Sequence, residues 1–472
     1  MRKFAYPRLM QYFKEVSAIP RPSYHEGAIA EYLCAFAQTR GFAYLRDEWN
    51  NVLINAPATK GLEDRAPILL QGHTDMVCEK NEGVVHDFLK DGIELYEQDG
   101  WLSAKGTTLG ADNGVAVAAM LAILDAEAHP PLECLFTASE EVGLDGAKNF
   151  DYTRISARRM INLDGADDGE IIVGCAGGVR SDFCLHGETR PLEGACYRLS
   201  IGGLAGGHSG EDIHRGRANA NVLLGRVLAA LLDSQELCLA SVVGGNKDNA
   251  IPREASAVLT LKEFESANKA VDAVWQTIRT ELSSEDASAE LRFSPCEIVE
   301  TVFAPSMTER LVHLLSLPNG VLAREEAYPD LVRFSRNLGV IRTEGEKILV
   351  TFSSRSANDE EIDTSLSELS ASATRIDAEI SHHSRYPGWA VAESSELCNS
   401  YAEVFEKLFE RKVRITSIHA GLECGLIKKA LPTMDLLSSG PRIENLHSPD
   451  ERLELCSFER FFQMLTELLK TI

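Results

Sequence analysis

Three short apolar segments in the first third of the chain restrict its fold more than any other feature. Residues 66–75, 132–141 and 158–165 read "APILLQGHTD", "LECLFTASEE" and "RRMINLDG". Runs of this length between polar turns are typical of buried β-strands. The alanine-rich segment "DNGVAVAAMLAILDAEA" at 112–128, between the first two runs, is long enough for a helix. This alternation of strands and helix predicts an α/β layer.

Another helix is predicted near the N-terminus, in "SYHEGAIAEYLCAFAQTRG" at residues 23–41. Its apolar residues recur at the spacing of a helix that buries one face. Ser23 and Glu26 have the spacing of a capping box, in which each side chain binds the backbone of the other residue. Gly41 is a typical helix stop, so we expect the helix to end there.

The pattern of the chain changes near residue 185 and changes back near residue 390. From about Cys196, strands such as "CYRLSIGG" alternate with helices such as "ANANVLLGRVLAALLD". After residue 390 the pattern of predicted helices and strands resembles that of the first part again. We predict an α/β fold in which residues 1–184 and 391–472 form one domain with a mixed central sheet flanked by helices. Residues 185–390 are predicted to form an inserted α+β domain.

Composition excludes several classes of function. The chain has 472 residues, of which 44% are hydrophobic, enough for two or three domains with sizeable cores. Its formal net charge of -24 repels phosphate backbones and anionic membranes, so neither nucleic acid nor a membrane is an expected partner. A signal peptide and an apolar run of about 18 residues are both absent from the sequence, which predicts a soluble cytoplasmic protein. The 11 cysteines include no C-x-x-C pair, so neither a disulfide framework nor a cysteine zinc site is expected.

Each of the three predicted strands ends in side chains that can bind a metal ion. The carboxyl ends of strands in an α/β sheet border one crevice, so we expect these side chains to lie close together. Two more candidates lie at the start of the predicted helix and in the late loop "ENLHSPDER". The whole set is His73, Asp75, Asp112, Glu140, Glu141, Asp164 and His447. Two imidazoles with several carboxylates suit zinc or manganese better than magnesium.

The adjacent carboxylates Glu140 and Glu141 are expected to have different roles. Successive side chains of an extended backbone point to opposite sides, so both cannot bind one ion in the same way. We expect Glu141 to bind a metal ion and Glu140 to act as a general base toward water. Taken singly, each group has an ordinary alternative: a solvated glutamate pair, a structural histidine or, for Asp112, a helix cap. The occurrence of the whole set at strand and helix ends favours a site.

A series of motifs along nearly the whole chain resembles a known family. In order they read "QGHTDMV", "GTTLGADNGVAVA", "TASEEVGLDGA", "INLDG", "GGHSGEDIHRGRANA", "NAIP", "HAGLECGL" and "LHSPDER". The series resembles the dinuclear zinc exopeptidases related to acetylornithine deacetylase and glutamate carboxypeptidase, and among them the aminoacyl-histidine dipeptidase branch. The resemblance implies two zinc ions per chain, for which manganese or cobalt can substitute. It also implies that the inserted domain is a lid through which two chains form a homodimer.

The resemblance implies a role for each residue of the candidate site. His73 and Asp164 would bind one ion, Glu141 and His447 the other, and Asp112 would bridge the two. Glu140 would be the general base, and Asp75 would orient His73, because a carboxylate behind a ligating imidazole fixes its tautomer. In the lid, His208 would reach the active site of the neighbouring subunit and donate to the oxyanion that forms on the substrate.

Three further residues are assigned to substrate binding by the same resemblance. Asn249 and Arg355 resemble lid residues that hold the carboxyl end of the substrate, which suits the planar fork of an arginine. An exposed arginine at a strand end is the alternative for Arg355. Glu423 would hold the amino group of the substrate or cap the helix that begins there. For His419 we expect only a packing role.

The expected activity is hydrolysis of unblocked dipeptides, including β-alanyl-histidine, with a small peptide as substrate. Metal ligands do not encode the leaving group, so a tripeptidase or an N-acyl amino acid deacylase is an alternative. A metal-dependent binding protein without turnover is a further alternative, against which Glu140 argues because a binding protein needs no base beside its ligand.

Overall fold

The structure is a computed structural model that describes residues 4–126, 128–192, 194–326 and 329–472. The chain forms two compact units. Unit 1 contains the residues up to Gly174 together with Val391–Ser417 and Leu422–Ile472. Unit 2 contains Cys175–Ala390 and Ile418–Gly421. The predicted α/β class, with a mixed sheet flanked by helices and an inserted α+β region, is confirmed.

The first part of unit 1 alternates helices and strands as the sequence predicts. Its elements are α1 (Pro7–Ser17), α2 (Gly27–Arg40), β1 (Ala43–Arg46), β2 (Val52–Ala56), β3 (Ile68–His73), β4 (Leu95–Gln98), β5 (Trp101–Ala104), α3 (Ala111–Ala126), β6 (Leu132–Thr137), α4 (Asp145–Asn149), β7 (Arg159–Asn162) and β8 (Glu170–Cys175).

Unit 2 is richer in strands. Its elements are β9 (Gly177–His186), β10 (Thr189–Pro191), β11 (Cys196–Gly202), β12 (Gly207–His208), α5 (Ala220–Ser234), β13 (Leu237–Gly244), β14 (Ala250–Ile251), β15 (Ala255–Leu261), α6 (Phe264–Glu281), β16 (Glu290–Pro295), β17 (Thr301–Phe303), α7 (Pro305–Leu315), β18 (Gly320–Arg324), β19 (Val332–Glu344), β20 (Lys347–Ser356), α8 (Asp359–Arg375) and β21 (Glu379–Tyr386).

The last part of the chain completes unit 1. Its elements are α9 (Glu396–Phe409), β22 (Arg414–Ile418), α10 (Glu423–Ala430), β23 (Asp435–Ser438), β24 (Ile443–Glu444), β25 (Arg452–Glu454) and α11 (Leu455–Thr471).

The main sheet of unit 1 brings the three predicted strands together. Over the described residues its strand order is β1-β2-β6-β3-β7-β23-β8-β22. The central strands β6, β3 and β7 are parallel neighbours, and His73 at the end of β3 is paired with Thr137 at the end of β6. Their carboxyl ends therefore lie at one edge of the sheet, as expected. Helix α3 is buried along its length against this sheet, because nearly all of its residues are apolar.

The end of helix α2 was predicted correctly, but its start was not. Gly41 follows α2 in the left-handed conformation, with φ of 72°, as the stop signal requires. The capping box of Ser23 and Glu26 is wrong, because Glu26 itself precedes the first helical residue and its side chain makes no capping bond. Ser23 donates instead to Asp75 at 2.7 Å, and Glu26 accepts from Ser139. Both polar side chains are used to position loops at the end of the sheet.

The main sheet of unit 2 is covered by helices on one face. Over the described residues the strand order is β16-β11-β15-β13-β19-β20-β9-β21, with β18 paired to β19. Phe183 and Leu185 of β9 are buried in a core that includes residues of α5, α6, α7 and α8. Successive side chains of a strand alternate between faces, so Cys184 and His186 lie on the opposite face, and they are more exposed. In the described part of the chain, no helix is both long and apolar enough to span a membrane.

Candidate metal centre

His73 is a deeply buried member of the candidate site. It is the last residue of β3, its side chain is 1% exposed, and both ring nitrogens face carboxylates. Its Nδ1 lies 3.2 Å from Oδ1 of Asp75. Its Nε2 lies 3.0 Å from Oδ1 of Asp112 and 3.6 Å from Oδ1 of Asp164. Asp75 thus lies behind the imidazole, and the other two carboxylates lie at the ring nitrogen that faces the site.

Asp112 lies between the two histidines. Its Oδ1 faces His73, and its Oδ2 lies 3.1 Å from Nε2 of His447. The residue follows the first position of α3, but its backbone is not helical, and the peptide bond between Asp112 and Asn113 is cis. Asn113 donates a hydrogen bond to Asp164, which fixes a second carboxylate beside the first.

The side chains form overlapping groups of three. Within each group, the potential ligand atoms all lie within 4.8 Å of one another. One group is His73, Asp112 and Asp164, and another is Asp112, Glu141 and His447. His447 Nε2 lies 3.2 Å from Oε1 of Glu141. Asp112 belongs to both groups, which is the arrangement expected of a carboxylate that bridges two ions.

Glu140 and Glu141 do not continue the strand as we expected. Strand β6 ends at Thr137, and the carbonyl of Glu140 accepts the backbone N–H groups of Gly143 and Leu144, so the pair begins a turn. The two oxygens of Asp75 accept the backbone N–H groups of Glu140 and Glu141 at 3.0 and 3.2 Å. The prediction of an extended backbone here is therefore wrong, because a side chain from the neighbouring loop draws both N–H groups to one side.

The electrostatics of the cluster favour added positive charge. Burial lowers the pKa of His73, but the charge of Asp164 and the contacts with Asp112 and Asp75 outweigh it and hold the pKa well above its usual range. Contacts with Asp112 and Glu141 raise the pKa of His447 to about 11. Burial and the neighbouring charge of Asp112 raise the pKa of Asp164 to about 6. Carboxylates in excess of cations are stabilised by metal ions, and imidazole with carboxylate is a donor set that zinc uses, so the residues fit a metal centre.

Comparison with known proteins gives the family. The peptidase family M20/M25/M40 matches residues 69–471. The chain belongs to this family. The cytosol non-specific dipeptidase of Escherichia coli (strain K12) is 38% identical over 471 residues, which are 98% of this chain and 97% of that protein. The resemblance that the motifs predicted is confirmed.

Two solved structures extend the comparison. Aminoacylhistidine dipeptidase from Vibrio alginolyticus matches with a TM-score of 0.95 and 36% identity, over 100% of this chain and 97% of that one. Aminopeptidase PepT from Bacillus cereus matches with a TM-score of 0.58 and 16% identity, over 99% and 98% of the two chains. At 16% identity, the similarity to PepT shows the fold alone.

Two buried residues that the sequence analysis missed hold the ligand-bearing loops of this M20 peptidase. Glu451, which is 2% exposed, accepts four backbone N–H groups at the start of α3, from residues 109–112. Arg21, which is 1% exposed, donates to the backbone carbonyls of Thr74, Asp75 and Gly110. Glu451 lies in the quoted motif "LHSPDER", which was the one signal that pointed to it.

Glu423 of the M20 peptidase does not cap α10. The residue before it takes the capping position, and no side-chain capping bond forms. Its carboxylate is buried and accepts hydrogen bonds from Gln71 of β3 and Thr137 of β6. Burial raises the pKa of Glu423 to about 7. The helix-cap alternative is wrong, because these two strands supply better donors.

The three predicted lid residues all lie in unit 2. His208 pairs with Ala250 across β12 and β14, and the carbonyl of Asn249 accepts the N–H of Ser209, so His208 and Asn249 lie on one short ribbon. Nδ1 of His208 accepts the backbone N–H of Glu211 at 3.2 Å, which leaves Nε2 to carry the ring proton. Burial, and next the charge of Arg355, lower the pKa of His208.

Arg355 is not the exposed strand-end arginine that the sequence allowed. It is 8% exposed, and it donates to the hydroxyl of Tyr386 at 2.7 Å. Among the described residues its Nε has no hydrogen-bond partner. A buried guanidinium bonded to a neutral hydroxyl keeps donors available for an anionic ligand.

Proposed function

We propose that this M20 peptidase is a dipeptidase that requires two metal ions and hydrolyses unblocked dipeptides, including β-alanyl-histidine and other dipeptides ending in histidine. The observation that carries the proposal is the position of Asp112 between two imidazoles, each with a further carboxylate. The similarity to a non-specific dipeptidase of Escherichia coli and to an aminoacylhistidine dipeptidase of Vibrio alginolyticus supports the choice of a dipeptide substrate.

His73, Asp112 and Asp164 would hold one ion, and Asp112, Glu141 and His447 the other. Ions held there, which we propose to be zinc, would supply Lewis acidity and would lower the pKa of water toward neutrality. Asp75 orients His73 through Nδ1, because a carboxylate at that nitrogen places the imidazole lone pair at Nε2.

Glu140 is the general base of the proposed reaction. Its carboxylate accepts a proton from the attacking water and returns it to the nitrogen of the leaving amine. Asp75 fixes the backbone at Glu140, and burial raises the pKa of the Glu140 carboxyl, which suits a group that both accepts and releases a proton.

Unit 2 is proposed to bind the carboxyl end of the dipeptide and to stabilise the developing oxyanion. Arg355 and Asn249 bind the carboxyl end, since a fixed guanidinium pairs with a free carboxylate and not with an amide. Nε2 of His208 donates to the oxyanion, and a positioned donor of this kind typically lowers the barrier by about 2.7 to 4 kcal/mol. Glu423, which belongs to unit 1, is proposed to hold the amino group of the substrate.

We place the enzyme in the cytoplasm as a homodimer in which His208 serves the partner's site. Mixing experiments test this directly. Glu140→Ala and His208→Ala are each expected to be inactive alone, whereas refolded mixtures recover partial activity because heterodimers contain one complete site. Full activity of a strictly monomeric preparation would contradict the shared site.

A substrate panel tests the proposed specificity. The panel compares β-alanyl-histidine, ordinary dipeptides, an amidated dipeptide, a tripeptide and an N-acetyl amino acid. We expect kcat/KM to be highest for the unblocked dipeptides, because burying an uncharged end leaves Arg355 without its anion. A preference for the tripeptide or for the N-acetyl amino acid would favour the tripeptidase or the deacylase. Binding of dipeptides without turnover would favour the non-catalytic alternative.

A further inference from the structure

A second group of potential metal ligands lies wholly within unit 2. It consists of Cys184 and His186 of β9 and Glu379 of β21. Cys184 and Glu379 are directly paired across the two strands, and His186 follows Cys184 on the same face of β9. The face is the one opposite the helices, so the three side chains project away from the core of the unit. No metal ligand of the proposed catalytic centre belongs to this group.

The distances match those between ligands of one ion. Sγ of Cys184 lies 3.4 Å from Nε2 of His186, and the same nitrogen lies 3.3 Å from Oε2 of Glu379. Around a tetrahedral zinc with Zn–S of about 2.3 Å and Zn–N or Zn–O of about 2.0–2.1 Å, adjacent ligand atoms lie about 3.3–3.6 Å apart. All three ligand atoms lie within 4.8 Å of one another. Small side-chain rotations therefore suffice to place them around one ion.

The contacts do not have the geometry of a nucleophile with its base. In such a relay the thiol and the carboxylate contact opposite nitrogens of the imidazole. Here both contacts converge on Nε2 of His186, where a single ring proton cannot serve both partners well. Convergence of a sulfur, a nitrogen and an oxygen on one point is the arrangement of a metal-binding site.

We propose that Cys184, His186 and Glu379 bind zinc or another thiophilic dication, with water or an exogenous ligand in the fourth position. Binding replaces the proton of the Cys184 thiol with the metal ion, so one proton is released. The thiolate and the carboxylate then carry two negative charges, which balance the dication. A soft sulfur with imidazole and carboxylate selects zinc or cobalt over magnesium and calcium.

The surroundings of the site favour a cation on balance. Burial raises the pKa of the Cys184 thiol, the nearby Lys347 opposes that shift, and Glu379 and Glu344 add to it. The thiol is thus protonated without metal, and binding strengthens as the pH rises. Arg342, on the same face, is paired with Glu344 at 2.6 Å. A cavity of about 290 Å³ lined by Cys184 and Glu379, among other residues, leaves room for the fourth ligand.

The test is the spectrum of the cobalt-substituted full-length protein. Cobalt bound by a thiolate gives a sulfur-to-metal charge-transfer band in the near ultraviolet, whereas the proposed catalytic ligands include no cysteine. We expect this band to appear on titration of the reduced metal-free protein with Co²⁺ and to disappear on addition of excess Zn²⁺. Because the side chains of His186 and Glu379 are 50% and 76% exposed, we expect the band to develop after hydrolytic activity has reached its plateau.

Matched variants separate this site from the other thiols. Cys184→Ser is expected to abolish the band. His186→Gln is expected to weaken cobalt binding by more than the roughly 10- to 100-fold that is lost when a residue hydrogen-bonded to a metal ligand is removed. Cys296→Ser, which alters another half-buried cysteine of unit 2, is the control and is expected to retain the band. Cys184, His186 and Cys296 are all outside the proposed catalytic machinery, so all three variants are expected to retain dipeptide hydrolysis. Absence of the band from the wild-type protein, or its persistence in Cys184→Ser, would overturn the proposal, whatever the outcome for dipeptide hydrolysis.

Discussion

The carboxylate of Glu451 accepts the backbone N–H of Asp112 at 3.2 Å. The same two oxygens accept the N–H groups of the three preceding residues, at distances between 2.8 and 3.0 Å. Glu451 lies four residues after His447 in the chain, so it ties the loop of one proposed ligand to the backbone of another. Burial raises the pKa of Glu451, while the backbone hydrogen bonds oppose the shift. The residue positions ligands without being one.

Glu451→Gln is expected to weaken metal binding. The amide replaces one accepting oxygen with an N–H₂ group that faces backbone donors, so the segment at the start of α3 loses its fixed position. Loss of such an outer partner typically costs about 10- to 100-fold in metal affinity. The effect is measured by titrating the metal-free variant with zinc and recording its hydrolytic activity. We expect most of the kcat of the variant to return at saturating zinc. The exposed Asp450→Asn, one residue away, is the control; equal zinc affinity in the Glu451 variant and the wild type would contradict the positioning role.

Glu140→Gln and Glu141→Gln are expected to fail in different ways. The first variant retains both metal ions but loses about 10²-fold or more in kcat, which is the lower range for removal of a general base. The second requires a higher zinc concentration, because one ligand becomes a neutral amide. Kinetics at several zinc concentrations, with metal content measured on the same samples, distinguish the two. A near-normal kcat for Glu140→Gln at saturating zinc would show that its role is assigned wrongly.

His419 is expected to make unit 2 less stable in acid. Burial and then the charge of Arg355 lower its pKa to about 3, and Nε2 lies 2.7 Å from the hydroxyl of Ser335. Between about pH 6.5 and pH 3 the unfolded chain binds a proton that the folded chain does not, so stability falls as pH falls. The contribution is at most about 1.4 kcal/mol per pH unit. The contribution of His419 to stability is fully present above its unfolded pKa of about 6.5, and it is lost as the pH falls from about 6.5 to about 3.

The Tm of His419→Gln is therefore expected to depend less on pH than that of the wild type between pH 6.5 and pH 4. The exposed His25→Gln is the matched control, and it should follow the wild-type curve. Parallel curves for wild type and His419→Gln would show that His419 does not titrate on unfolding.

The strand ends could be predicted from the sequence because two simple rules act together. Buried parallel strands are short apolar runs, and their carboxyl ends meet at one edge, so His73, Glu141 and Asp164 were placed near one another without any contact being known. The start of α2 was missed because Ser23 and Glu26 bond to residues far along the chain, and local spacing carries no information about such partners. Arg21 and Glu451 were missed for the same reason, since their hydrogen bonds go to distant backbone groups.

The candidate site in unit 2 illustrates the limit of motif spacing. The sequence has no C-x-x-C pair, which argued against a cysteine zinc site. Cys184 and His186 share a face because they are two residues apart on a strand, a signal that "CLH" does carry. Their third partner, Glu379, becomes a neighbour only through the pairing of β9 with β21. Strand pairing between distant segments is the information that the sequence pattern lacked.

Anomalous diffraction at the zinc edge from crystals of the zinc-loaded protein tests the central claim most directly. We expect two peaks about 3.5–4 Å apart, a spacing typical of two-metal sites. One peak should contact His73 and Asp164, the other Glu141 and His447, and the carboxylate of Asp112 should contact both. A single peak among these residues, or two peaks of which neither contacts Asp112, would contradict the account.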